Sequence, residues 1–426
     1  MERYTAWLPG TGQPAVRSEK GSFVRLRSAR ARTATAAAAL AAAACVAAPA
    51  ASAQASAAQT RPAQPAPAAL SLPFYAPYFE TYLPGSLYTE AEKSGARDLT
   101  LAFLQTAKKG SCVATWNGDA RQPLSAGRYL SQIAALRKAG GDVIPSFGGY
   151  SADEGGTELA DSCTSVPKIA AVYETLVSKY HVTRLDMDVE AKSLSRHAGI
   201  NRRDEAIAMA QAWAKKRGTE LAVDFTLPVE PDGLQSPGLA VLKNAIADGV
   251  QVGVVNIMTF DYYQTHQGPV DMPAAAMAAA LNLHNQLAGL YPDLDGRQLW
   301  AMEGMTLLPG IDDRGKSETT WLHGVAEVVS FAQREHLSLL SIWAIQRDNG
   351  GCPGKTDRNT CSGVRQAPWE YSHLLERFAP ASAPAHPATT ASGLPPLPSG
   401  GTTSSTASRP PGSRRGAGRP RDTPDR

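Results

Sequence analysis

Histidine and cysteine are both scarce in this sequence, with 8 His and 5 Cys among 426 residues. No C-x-x-C pair and no H-x-x-x-H pair occurs, and these spacings are typical of zinc sites. The G-x-S-x-G motif of many serine hydrolases is missing as well. These absences argue against a catalytic metal and against an activated serine, and we expect neither a metal nor a cofactor.

A long apolar run is also missing. The most apolar stretch, an Ala-rich run over 35–48, is too short and too weakly apolar for a membrane-spanning helix. Arginines at 25, 27, 30 and 32 precede this run, and A-S-A at 51–53 follows it, which is the pattern of a secretory leader with its cleavage site. We therefore expect a signal region over 1–53, a secreted, extracellular protein and no membrane partner.

Export changes the interpretation of the cysteines. Cys45 lies in the leader, and the four that remain form an even set in an oxidising compartment, which favours disulfide bonds. The short spacing favours a Cys352–Cys361 bond, which leaves Cys112 to pair with Cys163. The sequence alone also allows the other pairings.

Positive charge is concentrated at the two ends of the chain. Residues 1–53 have a net charge of +5 and residues 409–426 one of +4, so the remainder carries about −6 against the total of +3. A mildly acidic domain is a poor match for a polyanion, and we expect no nucleic-acid partner.

Composition divides the chain into four parts. After the signal region, residues 54–70 are rich in Ala, Pro and Gln and are interpreted as a linker. Residues 380–426 consist mainly of Pro, Ser, Thr, Gly and Arg, cannot bury a core and are expected to form a disordered tail. One folded domain is therefore expected over 71–379.

Short apolar runs alternate with amphipathic segments throughout that domain. The predicted strands cover 72–80, 98–105, 142–146, 183–190, 220–227, 251–259, 298–306 and 338–345. Among the helical segments, 166–180 places Ile169, Val172, Leu176 and Tyr180 on one face. Eight such units predict an α/β fold with a single (β/α)₈ TIM barrel, with a doubly wound sheet as the alternative.

The segment L-D-M-D-V-E at 185–190 carries three carboxyl groups at alternate positions. Because side chains alternate along a strand, Asp186, Asp188 and Glu190 share one face, which would point into a barrel. Like charges in a poorly solvated interior raise at least one pKa, as a general acid near neutral pH requires. The pattern predicts Glu190 as a proton donor. A solvated edge strand, a metal site and the D-x-D motif of nucleotide-sugar transferases are the alternatives.

Several further motifs occur in a fixed order along the chain. They are F-Y-A-P-Y at 74–78, S-F-G-G at 146–149, D-x-D-x-E at 186–190, L-P at 227–228, M-T-F-D at 258–261 and a tryptophan at 343. Over about 72–378, this series resembles glycoside hydrolase family 18, and bacterial secreted chitinases in particular. The resemblance implies a TIM barrel that hydrolyses β-1,4-linked N-acetylglucosamine polymers.

The resemblance also implies a role for each site residue. Glu190 would protonate the glycosidic oxygen while the 2-acetamido group of the substrate attacks the anomeric carbon, so the configuration is retained. Asp188 would stabilise the oxazolinium ion and Asp186 would tune Asp188. Asp261 would hold the acetamido group, and Trp343 would form the floor beneath the sugar.

Two departures from the family pattern affect this assignment. Thr183 and Arg184 stand where the fuller motif has D-G, for which we expect weaker tuning of the carboxyls rather than lost activity. Phe260 replaces a tyrosine whose hydroxyl would bind the acetamido group, and Tyr262 or Tyr263 could supply that hydroxyl instead.

Met258 and Tyr78 complete the expected substrate-binding set. The expected partners are chitin or N-acetylglucosamine oligosaccharides, bound by a monomer. An endo-β-N-acetylglucosaminidase acting on N-glycans and a non-catalytic chitin-binding lectin are the alternative functions. The retained Glu190 argues against the lectin.

Two further features bear on the groove. About 30 residues separate the last two predicted strands, too few for a further domain, so we expect an open groove and internal cleavage of the polymer. No carbohydrate-binding module is recognisable, so we expect poor action on crystalline chitin.

The phosphate-loop pattern at 310–317 contains two aspartates that would repel phosphate, and we expect an ordinary loop there.

Overall fold

The computed structural model describes residues 70–262, 268–355 and 359–379. The predicted signal region over 1–53, nearly all of the predicted linker and the predicted tail over 380–426 lie outside these residues. The four-part division of the chain therefore stays a prediction.

The strands of the described residues are β1 Phe74–Tyr75, β2 Tyr78–Glu80, β3 Leu99–Thr106, β4 Ala114–Trp116, β5 Val143–Gly148, β6 Arg184–Asp188, β7 Ala222–Pro228, β8 Val252–Met258, β9 Glu303–Leu307, β10 Gly310–Asp312, β11 Gly315–Thr320 and β12 Leu339–Ile342. The α-helices are α1 Leu87–Ser94, α2 Leu130–Lys138, α3 Tyr150–Gly155, α4 Leu159–Ser162, α5 Val166–Thr175, α6 His197–Lys215, α7 Ser236–Ala247, α8 Met272–Leu290, α9 Gly296–Trp300, α10 Leu322–Glu335 and α11 Glu370–Leu375.

The main sheet is parallel and closes on itself. Its strand order is β1-β12-β9-β8-β7-β6-β5-β3-β2. Because β1 pairs with β12 while β2 pairs with β3, the first extended segment contacts both of its neighbours around the ring. Eight positions of parallel strand result, with helices between them, which confirms the predicted (β/α)₈ barrel.

The helical segment predicted over 166–180 is confirmed. The segment 166–180 forms α5 and one further π-helical turn, and Ile169, Leu176 and Tyr180 are buried in the core, while Val172 is half-buried. Local capping fixes helix ends: α1 begins after Ser86, whose side chain accepts the N–H of Thr89.

Three strand predictions need correction. The predicted strand 298–306 is wrong in its first part, which forms α9 because Asp295 and Gln298 make a capping box. The predicted strand 72–80 is interrupted between β1 and β2, at Pro77, which has no N–H for a ladder. The third correction concerns β6, which ends at Asp188 rather than at Glu190.

The connection from β9 to β12 also differs from the expectation. The expected loop at 310–317 forms most of an antiparallel hairpin of β10 and β11, which precedes α10. In addition, β4 was not predicted, and it pairs antiparallel with β3 outside the ring. The connection still contains no further domain.

Two disulfide bonds join the pairs favoured by the sequence, Cys112–Cys163 and Cys352–Cys361. In the part of the chain that the structure describes, no helix is both long and apolar enough to cross a bilayer.

The two disulfides should differ in their effect on stability, because they close loops of 51 and 9 residues. Chain-entropy arguments give about 4 kcal/mol for the longer loop and about 2.5 kcal/mol for the shorter one. We expect the Cys112→Ala/Cys163→Ala variant to lose more free energy of unfolding in urea than Cys352→Ala/Cys361→Ala. Equal losses, or the reverse order, would contradict this entropic account.

Candidate active site

The inner face of β6 carries the carboxyl groups predicted from the sequence. Leu185 and Met187 are buried in the apolar core, and the intervening Asp186 and Asp188 are each 3% exposed. Glu190 follows two residues after the strand in extended backbone, with φ −131° and ψ 178°, and its side chain is partly exposed. The structure therefore brings the three acids together at one end of the barrel.

Asp186 is surrounded by hydroxyl donors from the two flanking strands, β5 and β7, and from β2. Its Oδ2 accepts hydrogen bonds from Ser146 Oγ at 2.6 Å and from the Tyr78 hydroxyl at 3.0 Å. Its Oδ1 accepts from Thr226 Oγ1 at 2.7 Å. Burial raises the pKa of Asp186 to about 6, and the hydroxyl donors limit that rise. Tyr78, expected to bind substrate, thus contacts the carboxyl strand directly.

Asp188 has a different environment. Its Oδ1 is buried and has no hydrogen-bond partner among the described residues. Burial raises the pKa of Asp188 well above its usual value, and the charges of Glu190, Asp186 and Asp153 raise it further. A buried acceptor without a donor is costly, so this oxygen is suited to accept an N–H group from a bound ligand.

Glu190 is held through its main chain as well as its side chain. Its backbone N–H donates to Asp153 Oδ2 at 2.6 Å, and its carboxyl accepts a hydrogen bond from the backbone N–H of Tyr150. Burial raises the pKa of Glu190 to about 7. A carboxyl with that pKa can serve as acid and as base near neutral pH.

Asp153 was missed by sequence reasoning. It lies in α3, immediately after the S-F-G-G segment, and it is fully buried. A single acid among polar residues carries no local signal for burial, since only the fold brings it against Glu190.

Asp261 lies beyond the end of β8 with a left-handed backbone, φ 52°. Its N–H donates to Asp312 Oδ2 at 3.0 Å, and Asp312 belongs to the hairpin strand β10. Burial raises the pKa of Asp261 to about 9, helped by the hydrogen bond with Asp312 and by the charges of Asp312, Asp313 and Glu190. No motif or periodicity in the sequence predicts this carboxyl pair.

The residues around Asp261 lie closer to the core than expected. Met258 is 7% exposed and Phe260 is 8% exposed. Tyr262 is fully buried, and its N–H donates to Glu318 Oε2 at 3.0 Å. Tyr263 lies outside the described residues. In this structure the buried ring of Tyr262 is not accessible to a sugar. The hypothesis that Tyr262 supplies the hydroxyl missing at Phe260 stays a prediction.

An aromatic cluster adjoins the carboxyl strand. Trp343 is partly exposed and stacks on Phe103, with ring centroids 5.4 Å apart and planes 17° apart. Tyr78 meets Trp343 edge-on at 5.5 Å. Because the Tyr78 hydroxyl also contacts Asp186, one residue connects the aromatic surface to the acids. A flat apolar ring surface of this kind suits the C–H face of a sugar.

An ion pair lies deeper in the barrel, where the sequence departs from the family motif. The Arg184 guanidinium contacts Asp224 Oδ1 at 2.5 Å, and both side chains are buried. Asp224 on β7 is the register partner of Asp186 on β6, and its charge contributes to the raised pKa of Asp186. A carboxylate from the adjacent strand thus lies beside Asp186. Within the described residues, no cluster of three or more His, Cys, Asp or Glu side chains could hold a metal ion.

Comparison with known proteins gives consistent relatives. No protein-family model matches the chain. It is 34% identical over 291 residues to a "Probable bifunctional chitinase/lysozyme" of Escherichia coli K12. The matched residues make up 66% of this chain and 31% of that protein. It is 33% identical over 282 residues to "Endochitinase 11" of Metarhizium anisopliae, which covers 64% of this chain and 52% of that protein. The chain thus spans about a third and about a half of these curated relatives.

Solved structures match the whole barrel. The catalytic domain of a hyperthermophilic chitinase from Pyrococcus furiosus superimposes with a TM-score of 0.64 at 27% identity, covering 74% of this chain and 97% of that one. Active domain 2 of a Pyrococcus furiosus chitinase, solved as catalytic-site mutants, gives the same TM-score at 26% identity and the same coverage. This match extends over an entire chitinase catalytic domain, and the acids lie on and just beyond the inner strand, so the chain is similar to chitinases in both sequence and fold.

Proposed function

We propose that this protein hydrolyses chitin and related β-1,4-linked N-acetylglucosamine oligosaccharides, with retention of the anomeric configuration and with assistance from the substrate. The single observation that carries the proposal is the juxtaposition of two acids at one end of β6: Glu190, just beyond the strand, has its pKa raised to about 7, and Asp188, its last residue, has a buried Oδ1 without a hydrogen-bond partner among the described residues. The chitinase relatives support the same reaction.

The first half of the reaction uses these two groups together. Glu190 gives its proton to the glycosidic oxygen as the bond from that oxygen to the anomeric carbon breaks. The acetamido carbonyl oxygen of the same sugar forms a new bond to the anomeric carbon, which yields an oxazolinium ion. Asp188 accepts the acetamido N–H and stabilises the positive charge, which provides the donor that its Oδ1 otherwise lacks.

The second half restores both the enzyme and the acetamido group. Glu190, now ionised, takes a proton from a water molecule, whose oxygen attacks the anomeric carbon. The bond to the carbonyl oxygen breaks, and two successive inversions give net retention. Asp186 is held by its hydroxyl donors and sets the charge felt by Asp188. Asp261 holds the acetamido group, and Trp343 supports the sugar ring.

Substrate class and cleavage mode follow from the shape of the connections. The hairpin of β10 and β11 and helix α10 are the regular elements that join β9 to β12, which supports an open groove and internal cleavage. The chemistry also suits the chitobiose core of N-glycans. Release of soluble oligosaccharides from colloidal chitin supports the chitin assignment, whereas release of glycans from a high-mannose glycoprotein alone would favour the alternative.

We also propose that the protein is secreted and acts as a monomer. The leader-like pattern over 1–53 and the two disulfide bonds support export. The candidate site is built from residues of one chain, so no partner is needed to complete it.

Replacing the proton donor should abolish most of the activity. We expect Glu190→Gln to lower kcat on a chromogenic chitobioside by roughly 10²–10⁴-fold, the usual contribution of general acid–base catalysis. Glu154→Gln is a suitable control, because Glu154 is nearby but pairs with Lys192 at the surface. An unchanged rate for Glu190→Gln would remove Glu190 from the mechanism. Oligosaccharide binding without turnover by the unmodified protein would favour the lectin.

The pH dependence should reflect the raised pKa of Glu190. The reaction begins with Glu190 protonated, so kcat/KM should fall as the pH rises through about 7. Because the charge of each acid affects the titration of the others, the midpoint of this decrease in kcat/KM describes the group of carboxyls rather than Glu190 alone. Initial rates on chitotetraose from pH 4 to pH 10 would measure it. A kcat/KM that increases steadily up to pH 9 is incompatible with Glu190 as the acid.

Activity should require the acetamido group of the substrate. A fully deacetylated tetramer has no carbonyl oxygen to attack the anomeric carbon, and we expect it to react at least about 10³-fold more slowly than chitotetraose.

Retention predicts the anomeric form of the first product. Proton NMR during the first minutes of chitotetraose hydrolysis should show the β-anomer forming first. Initial release of the α-anomer would contradict retention and with it the role proposed for Asp188.

A further inference from the structure

Asp153 is a buried carboxyl in direct contact with the main chain of Glu190. It lies in α3, is 0% exposed, and accepts the Glu190 N–H at its Oδ2 at 2.6 Å. Its other oxygen, Oδ1, is buried with no hydrogen-bond partner among the residues described. A carboxyl in this position is costly unless it holds a proton or has a role in the site.

Gly148 allows this close approach. It lies at the end of β5 with φ 101°, and a Cβ there would lie 2.0 Å from the Asp188 carbonyl oxygen and 3.2 Å from Asp153 Oδ1. Only glycine leaves room for the main chain of β6 and the Asp153 carboxyl at once. The S-F-G-G segment therefore packs the Asp153 carboxyl against the part of the chain that carries Asp188 and Glu190.

The acidic groups around Asp153 come from two directions. Asp188 and Glu190 face it from the β6 side, and Glu158 and Asp161 lie at the start of α4. Burial raises the pKa of Asp153 well above its usual value, and the charges of Glu158, Glu190 and Asp161 raise it further.

Arg196 and Lys192, two cations of this region, contact groups other than the Asp153 carboxyl. The Arg196 guanidinium donates from Nη1 to the main-chain carbonyl of Asp153 at 2.6 Å and pairs with the Asp161 carboxylate at 2.6 Å. Lys192 is exposed and pairs with Glu154. The arginine thus anchors the backbone of α3, while the Asp153 carboxyl faces other acids.

We propose that Asp153 is a positioning residue that fixes the main chain of Glu190 and shares protons with Asp188 and Glu190 as a further carboxyl of the same buried group. The inference rests on the proposed function and adds to it a residue outside the D-x-D-x-E strand. Because the carboxyls occupy one poorly solvated volume, ionisation of Asp153 opposes ionisation of the proton donor.

Two substitutions separate the two parts of this role. Asp153→Asn keeps an oxygen that can accept the Glu190 N–H but removes the charge, so the alkaline limb of kcat/KM should move to lower pH by about one unit. Asp153→Ala also removes the acceptor, so kcat at the pH optimum should fall by roughly 10- to 100-fold, as expected for a displaced catalytic group. We expect KM to change far less than kcat.

Glu303→Gln is a matched control, because Glu303 is another fully buried carboxyl, located at the start of β9 and in contact with His284. Its substitution should leave the pH profile unchanged. A pH profile of Asp153→Asn identical to that of the unmodified enzyme would overturn the proposal, as would full kcat for Asp153→Ala. If Asp153→Ala does not fold, the pH profile of Asp153→Asn still tests the proposal by itself.

A second readout separates this inference from the proposed function. In protein labelled with ¹³C at glutamate carboxyls, the Glu190 resonance is identified by its loss in Glu190→Gln, and its pKa should be lower in Asp153→Asn. This titration does not depend on turnover. A lowered pKa without chitin hydrolysis would refute the proposed function alone, whereas hydrolysis with an unchanged Glu190 pKa would refute the role of Asp153.

Discussion

Burial of several carboxyl groups inside one barrel is the constraint on which the candidate site depends. An ionised carboxylate taken out of water needs donors, and three other strands of the barrel supply them to Asp186 through Ser146, Tyr78 and Thr226. The inner surface of the sheet is therefore polar at this level, although the strands are apolar on their outer faces. Asp188 receives no such donor at Oδ1. Asp186 therefore has its hydrogen bonds within the protein, whereas Asp188 has an oxygen left to accept one from a ligand.

A second device recurs around the site, in which buried acids fix the backbone rather than other side chains. Asp153 accepts the N–H of Glu190, and Asp312 accepts the N–H of Asp261. In both cases the acceptor comes from a segment outside the strand that it orients. Such contacts hold the main chain at the end of a strand, where no ladder hydrogen bonds remain, and so preorganise the groups that would meet the substrate.

The sequence predicted those parts of the structure that depend on local periodicity. Alternation in β6 placed Asp186 and Asp188 on the inner face, and the alternation of strands and helices predicted the barrel. It could not predict that Asp153 and Asp312 lie against Glu190 and Asp261, because these contacts join segments far apart in the chain and leave no periodic signal. The Arg184–Asp224 pair was hidden for the same reason, since it forms between neighbouring strands.

The raised carboxyl pKa values also couple the fold to the acidity of its surroundings. Asp and Glu in an unfolded chain lose their protons near about pH 4, whereas the folded barrel retains them up to about 6 at Asp186 and about 7 at Glu190. Between these limits the folded form binds more protons than the unfolded form, so the free energy of unfolding decreases as the pH rises. A mildly acidic medium thus favours both the folded state of the barrel and the protonated form of Glu190.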